Sequence, residues 1–201
     1  MPTRTFLNLP KEKRLRVLRA AKKEFSRVPL EKAVIANIVK DADIPRGSFY
    51  QYFYDVDDLF VYVLEYMYGI DRKKFMKFLN DTNGDVYEAL KIRFADEIDK
   101  LSSEDNRQFK INAITTLLNQ SDDQNGNFSK LIPSAIERQN QVDLSYFPVE
   151  VQKQKNFNNF MNIVKMVGNV CVQKYITKQA NEDEIKNYYN DCIDFVKSGL
   201  Q

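Results

Sequence analysis

The stretch Ala33–Phe53, AVIANIVKDADIPRGSFYQYF, decides how the chain is read. Ile35, Ile38 and Val39 recur at helical spacing; Asp41-Ala42-Asp43 then breaks the pattern, and Ile44 turns inward. Pro45 follows, a residue favoured at the first position of a helix, where its missing N–H leaves no partner unmet. Beyond it Phe49 and Phe53 stand four apart on one apolar face, while Arg46, Ser48, Tyr50, Gln51 and Tyr52 share the other. Two short helices about a tight joint, the second polar on its outer side, make a helix-turn-helix pattern. A second helix of that kind has the dimensions to enter a DNA major groove.

Working outward, Lys11–Arg27 reads as a preceding helix. Leu15, Leu18, Ala21 and Phe25 form its apolar stripe, Pro10 stands ahead of it and Pro29 ends it. The three helices are expected to close on Leu18, Phe25, Ile35, Ile38, Ile44, Phe49 and Phe53. That core is small and needs the next helix to lean on. The next helix starts with Asp55 as N-cap, Asp57 and Asp58 in the first turn, and runs to about Leu79. The expected division is a head of residues 1–54 and a body of residues 55–201.

The body reads as helices at about Val86–Leu101, Asn106–Leu118, Phe128–Gln141, Val149–Gln179 and Glu182–Lys197, separated by Ser-, Asp- and Gly-rich breakers. Asn181-Glu182-Asp183-Glu184 has the form of a capping box. No strand alternation occurs, so the fold class is all-α, a helix-turn-helix head joined by a connecting helix to a larger helical body.

Charge divides along the same line. Residues 1–54 hold twelve Lys and Arg against five Asp and Glu, a charge of +7, which leaves −5 for the rest of a chain whose total is +2. A basic head on an acidic body suits a phosphate-binding module fused to a domain of another kind. Histidine is absent, which removes the usual general base, the Ser-His and Cys-His nucleophile pairs and the commonest neutral metal ligand. No motif fixes a pair of carboxylates either, so neither an enzyme nor a metal or cofactor site is expected. Cys171 and Cys192 read as reduced core thiols. The N-terminal residues lack the apolar core of a secretory signal, and no apolar run reaches the ~18 residues of a membrane span. A cytoplasmic protein without membrane contact is expected.

The run IVKDADIPRGSFYQYFYDVDDLF resembles the N-terminal helix-turn-helix of the TetR family of bacterial transcriptional regulators. Ala42, Ile44, Arg46-Gly47-Ser48, Tyr50, Tyr52-Phe53 and Asp58-Leu59 fall where the family pattern has like residues, and the likeness covers about Leu15 to Leu64. Several positions depart from it. Asp43 stands where the turn usually has Gly, Pro45 where a Ser or Thr cap is usual, Ala33-Val34 where Thr often meets phosphate, and Val56 where a Lys commonly does. The DNA contacts are therefore expected from Lys32, Arg46, Gly47, Ser48, Tyr50, Gln51 and Tyr52, with the basic first helix. Gly47 either lets DNA approach the backbone closely or avoids a clash with the first helix.

The resemblance further implies a homodimer on a palindromic double-stranded operator, acting as a repressor that a small-molecule effector releases. It implies an effector pocket among Phe75, Phe78, Phe94, Phe109, Phe128, Phe157 and Phe160, although each taken singly is better explained as helical core. It implies a four-helix dimer interface from the last two helices, carrying Val164, Val167, Cys171, Tyr175, Tyr188, Tyr189, Cys192 and Phe195. The alternative is an effector-independent DNA-binding protein whose body only dimerises or docks a partner.

Overall fold

The computed structural model describes residues 2–121 and 144–199. Every regular element among them is helical, as the sequence led us to expect: α1 (Arg4–Leu7), α2 (Lys11–Arg27), a 3-10 turn (Leu30–Lys32), α3 (Ile35–Asp41), α4 (Arg46–Tyr52), α5 (Val56–Asp81), α6 (Val86–Leu101) and α7 (Glu104–Ser121). A second 3-10 turn (Leu144–Tyr146) precedes α8 (Val149–Gln152), α9 (Gln154–Ile176) and α10 (Glu182–Gly199). The helix expected at Phe128–Gln141 lies outside the described residues. The single helix expected over Val149–Gln179 is two, because Lys153 is extended (φ −66°, ψ 132°) and starts α9 afresh. No helix among the described residues is long and apolar enough to cross a membrane.

The described residues fall into two compact units, one of residues up to 70 with those from 103 to 121, the other of residues 71–102 with those from 144 onward. The division lies inside α5, and the first unit also takes in α7, so it is larger than a head of residues 1–54. The reason is the small core anticipated above. Leu18, Phe25, Ile38, Ile44, Phe49 and Phe53 are buried together, and Leu59, Phe60 and Val63 of α5 with Phe109 and Ala113 of α7 complete their cluster. α7 also supplies polar partners: the buried Asn112 side-chain amide donates to the carbonyls of Phe25 and Ser26 at 2.9 and 3.0 Å. Those are carbonyls at the C-terminal end of α2, which no residue further along the helix can bond.

The joint between α3 and α4 has a defined geometry. Asp43 is left-handed (φ 52°), its N–H donates to Lys40 O and the N–H of Ile44 donates to Val39 O. These are the two bonds of a Schellman motif, with Asp in the place Gly usually takes and Ile44 as its buried apolar anchor. Asn83 and Lys178, also left-handed, end α5 and α9 through the same pair of bonds.

In the second unit α10 packs on α6 and on α9. Leu79, Leu90, Ile98, Ile185 and Ile193 are fully buried there, and the Phe94 and Tyr189 rings stack at 3.9 Å. Asn181 and Glu184 cap α10 reciprocally, at 3.0 and 2.9 Å, as their spacing suggested. Glu88, Asp96 and Asp99, acids that could have met a cationic ligand, are each paired with a lysine: Lys91, Lys74 with Lys100, and Lys186. Burial pushes the Cys171 thiol up to about 11, with Cys192 adding to the effect, so it stays protonated near neutrality.

Replacing Asp43 by Gly is expected to raise stability by about 0.5–1 kcal/mol, because a side chain in the left-handed region is strained. A higher denaturant midpoint at unchanged slope is the readout; a lower midpoint would mean that its exposed contact with Arg16 matters more than the strain.

Candidate nucleic-acid interface

α3 opens on Val34, which has no side-chain oxygen to cap the helix. The cap comes instead from α2. The buried Glu24 carboxylate accepts the Val34 N–H at 2.9 Å and the Asn37 side-chain amide at 3.2 Å, and it holds Arg27 at 2.6 Å. One carboxylate thus fixes the start of α3 to the middle of the head. Nothing in the sequence around Val34 announced it; the only signal was a Glu beside Phe25 on a helix whose other acid lies in the first turn.

α4 follows the turn. Phe49 and Phe53 are fully buried, as expected, and Arg46, Gly47, Tyr50 and Gln51 are exposed with Ser48 half-buried. Tyr52 is the correction. It is 4% exposed, its ring 5.7 Å from that of Phe6, and so belongs to the core and not to the polar face. Position 52 lies three residues after Phe49, and residues three and four apart share one side of a helix. Pro45 sits one position earlier than anticipated, just before the helix, and its carbonyl accepts the Ser48 N–H at 2.9 Å.

Gly47 separates two readings. A Cβ built there would meet no heavy atom within 4 Å, so the glycine avoids no clash inside the protein. Gly47 is exposed, so its backbone is open to approach from outside. Lys32 is exposed on the 3-10 turn before α3. Tyr54, which the sequence reading passed over, is 86% exposed immediately before Asp55, the N-cap that accepts the Asp58 N–H at 2.8 Å.

The head's positive charge is partly spoken for. Arg16 pairs with Asp43 at 3.5 Å, Lys23 with Asp41 at 2.7 Å and Arg27 with Glu24. At the start of α5 burial, then Asp55 and Glu31, raise the proton affinity of Asp57, an acidic spot beside Val56.

In the second unit, the phenylalanines expected to line a pocket do not form one group. Phe75, Phe94, Phe157 and Phe160 are buried in its core and Phe78 is half-buried at the edge. Phe109 belongs to the head's core because α7 lies on α2, and Phe128 lies outside the described residues. The candidate interface residues divide likewise. Val164, Cys171 and Tyr189 face inward and are buried, whereas Val167, Tyr175 and Cys192 are half-buried and Tyr188 and Phe195 are exposed, Phe195 to 79%. α9 also exposes Ile163, Met166 and Val170, which the sequence reading did not separate from the inner face. Of these, Ile163, Val167, Tyr188, Cys192 and Phe195, with Phe160, border a groove of about 830 Å³.

Residues 17–63 match the family model of bacterial regulatory proteins of the tetR family. The fold is shared with solved structures at low sequence identity. One, assigned as a TetR-family transcriptional regulator from Mesorhizobium loti MAFF303099, is 13% identical over 91% of this chain and 94% of that one, with a TM-score of 0.61. Another, a TetR transcriptional regulator from Rhodococcus sp. RHA1, is 15% identical over 94% and 97%, with a TM-score of 0.57. No curated protein matches in sequence. Residues 17–63 are thus similar to the tetR-family helix-turn-helix, and the chain shares its fold with solved structures assigned as TetR-family regulators.

Glu24 makes the head's stability pH-dependent. Burial favours its neutral form, but the hydrogen bonds from Arg27, the Val34 N–H and Asn37 outweigh that and hold the carboxyl below its ordinary 4.5. The folded state therefore prefers the ionised form, and its contribution is complete above that ordinary value and fades as pH falls through the lowered one. Glu24→Gln should be less stable than wild type at pH 7, and the gap in denaturation midpoint should shrink as pH drops below about 4. A gap independent of pH would show that shape, not charge, is what the site requires.

Proposed function

We propose that the protein is a ligand-responsive transcriptional repressor that binds a palindromic operator as a homodimer and is released by a small molecule. The observation that carries the DNA-reading part is the outer side of α4: Arg46, Tyr50 and Gln51 are exposed there around a Gly47 where an added Cβ would meet no heavy atom within 4 Å. Arg46 offers a planar fork of donors suited to a guanine edge or to phosphate, Tyr50 and Ser48 offer hydroxyls, and Gln51 offers an amide. Lys32 and the exposed Tyr54 flank the helix and are suited to backbone contact.

Dimerisation is supported by the outer surface of α9 and α10. Met166 and Phe195 are 68% and 79% exposed beside Ile163, Val170 and Tyr188, a concentration of apolar area that a chain in water covers with a partner. A two-fold pair places two recognition helices on one face of a duplex, and half-sites about 34–36 Å apart then fall one helical turn from each other. Effector release follows if a small molecule favours a dimer whose heads are spaced differently, with α5, which belongs to both compact units, as the continuous element. The setting for such a protein is the cytoplasm.

One observation favours the narrower reading, in which the body only dimerises. Phe147 packs edge-on to Phe157 at 5.0 Å and to Phe160 at 5.9 Å, and Phe94 lies flat on Tyr189, so these rings already satisfy one another. A thermal-shift screen separates the two readings, since a ligand bound only by the folded state raises the melting temperature. A broad library that shifts nothing would favour the narrower one.

Two substitutions test the interface. Arg46→Ala is expected to weaken binding to a duplex selected from random sequence by about 1–3 kcal/mol without unfolding the protein. Gly47→Ala should leave the fold as stable or more so, by up to about 1 kcal/mol, yet weaken the same binding. Unchanged titrations for both would remove α4 from the DNA contact.

The dimer is tested separately. Phe195→Glu should shift the sedimentation coefficient from dimer to monomer with helicity retained; an unchanged dimer would place the interface elsewhere.

A further inference from the structure

α4 has only seven residues, and its last carbonyls have no residue further along the helix to bond them. Two of them are met from the N-terminal segment, which lies outside the residues that match the family model. The Thr3 N–H donates to Tyr52 O at 3.0 Å, and the Thr3 hydroxyl donates to Gln51 O at 2.6 Å. The same hydroxyl accepts the Phe6 N–H at 3.3 Å, so it also caps α1. Phe6 then anchors the segment. It is fully buried, with its ring 5.7 Å from Tyr52, 4.7 Å from Phe53 and 5.5 Å from Tyr62 of α5. Arg14 of α2 donates to Leu7 O and ties down the other end of α1.

We infer that residues 3–7 are a strap that positions the recognition helix: Thr3 holds its C-terminal end by two hydrogen bonds, and Phe6 locks that end to α5. The inference rests on the DNA-reading role proposed for α4, and it adds Thr3 and Phe6 as positioning residues that touch no DNA. Without the strap, the carbonyls of Gln51 and Tyr52 in the last turn of α4 lose these donors, while the Phe53 N–H still donates to Phe49 O at 2.9 Å. A helix this short frays readily, because most of its backbone groups lie within a turn of an end. Fraying would move Tyr50 and Gln51, the outward residues of that turn, and ordering them again on binding would reduce affinity.

The alternative, that α1 is merely one more piece of the head's core, makes a different forecast. It requires bulk stability to change and the exposed face of α4 to stay as it was.

The test uses the full chain and a duplex selected from random sequence with the wild-type protein. Thr3→Val keeps the backbone N–H and the side-chain volume but removes the hydroxyl. At a temperature where both proteins are fully folded by circular dichroism, it should weaken duplex binding roughly 3–10-fold, the worth of one hydrogen bond. Backbone amides of Gln51, Tyr52 and Phe53 should exchange with deuterium faster, with α3 unaffected. Thr3→Ser, which restores the hydroxyl, should recover both. Phe6→Leu, which keeps an apolar plug without the ring contacts, should reproduce the local exchange and the weaker binding. Wild-type affinity and wild-type exchange in α4 for Thr3→Val would overturn the strap. If no duplex is selected, the DNA-reading role falls, and the exchange of α4 still decides the strap by itself.

Discussion

A helix of seven residues leaves most of its backbone groups without an internal partner, and the part of this protein proposed to read DNA is made of two such helices. The head is organised around that deficit. Glu24 reaches from α2 to meet the start of α3, a left-handed Asp43 turns the chain so that the end of α3 closes on itself, and Thr3 meets the end of α4. α2 in turn receives Asn112 from α7 at its own end. Each polar link sits on a core of aromatic and branched side chains, including the Phe25 and Phe60 rings at 5.0 Å. Burial makes the head cohere, and the caps decide where its short helices point.

This arrangement explains why the compact unit is larger than three helices. The apolar area of α2, α3 and α4 is too small for an independent core, so the first part of α5 and the whole of α7 join them. α7 is separated from the head by the long α5 and by α6, and its contribution depends on the chain returning to α2.

Much of this was legible in the sequence, for identifiable reasons. α2 and α6 have the bounds that were expected because strong periodicity is flanked by Pro, Gly or Ser. The capping box at Asn181 was readable because both of its bonds join residues three apart. The core of the head was readable because its members recur at helical spacing. What escaped depends on partners distant in sequence. Phe6 offers no periodicity in a helix of four residues, Glu24 caps a helix ten residues on, and Asn112 bonds a carbonyl 87 residues away. Tyr52 was misplaced because only the four-residue spacing to Phe53 was followed. α9 and α10 carry two apolar faces each, and composition could not tell the inward Val164 and Tyr189 from the outward Met166 and Phe195.

The ion pairs within the head bear on how it would respond to its ionic surroundings. Arg16, Lys23 and Arg27 each have an acid of the same unit as a neighbour, and Asp55, Asp57 and Glu31 gather at the start of α5. A protein grips DNA in a salt-sensitive way to the extent that its cations displace the condensed ions along the duplex. Cations already matched by carboxylates displace fewer. On the proposed reading, Arg16, Lys23 and Arg27 would therefore add less to a salt-sensitive grip on DNA than cations without a carboxylate neighbour.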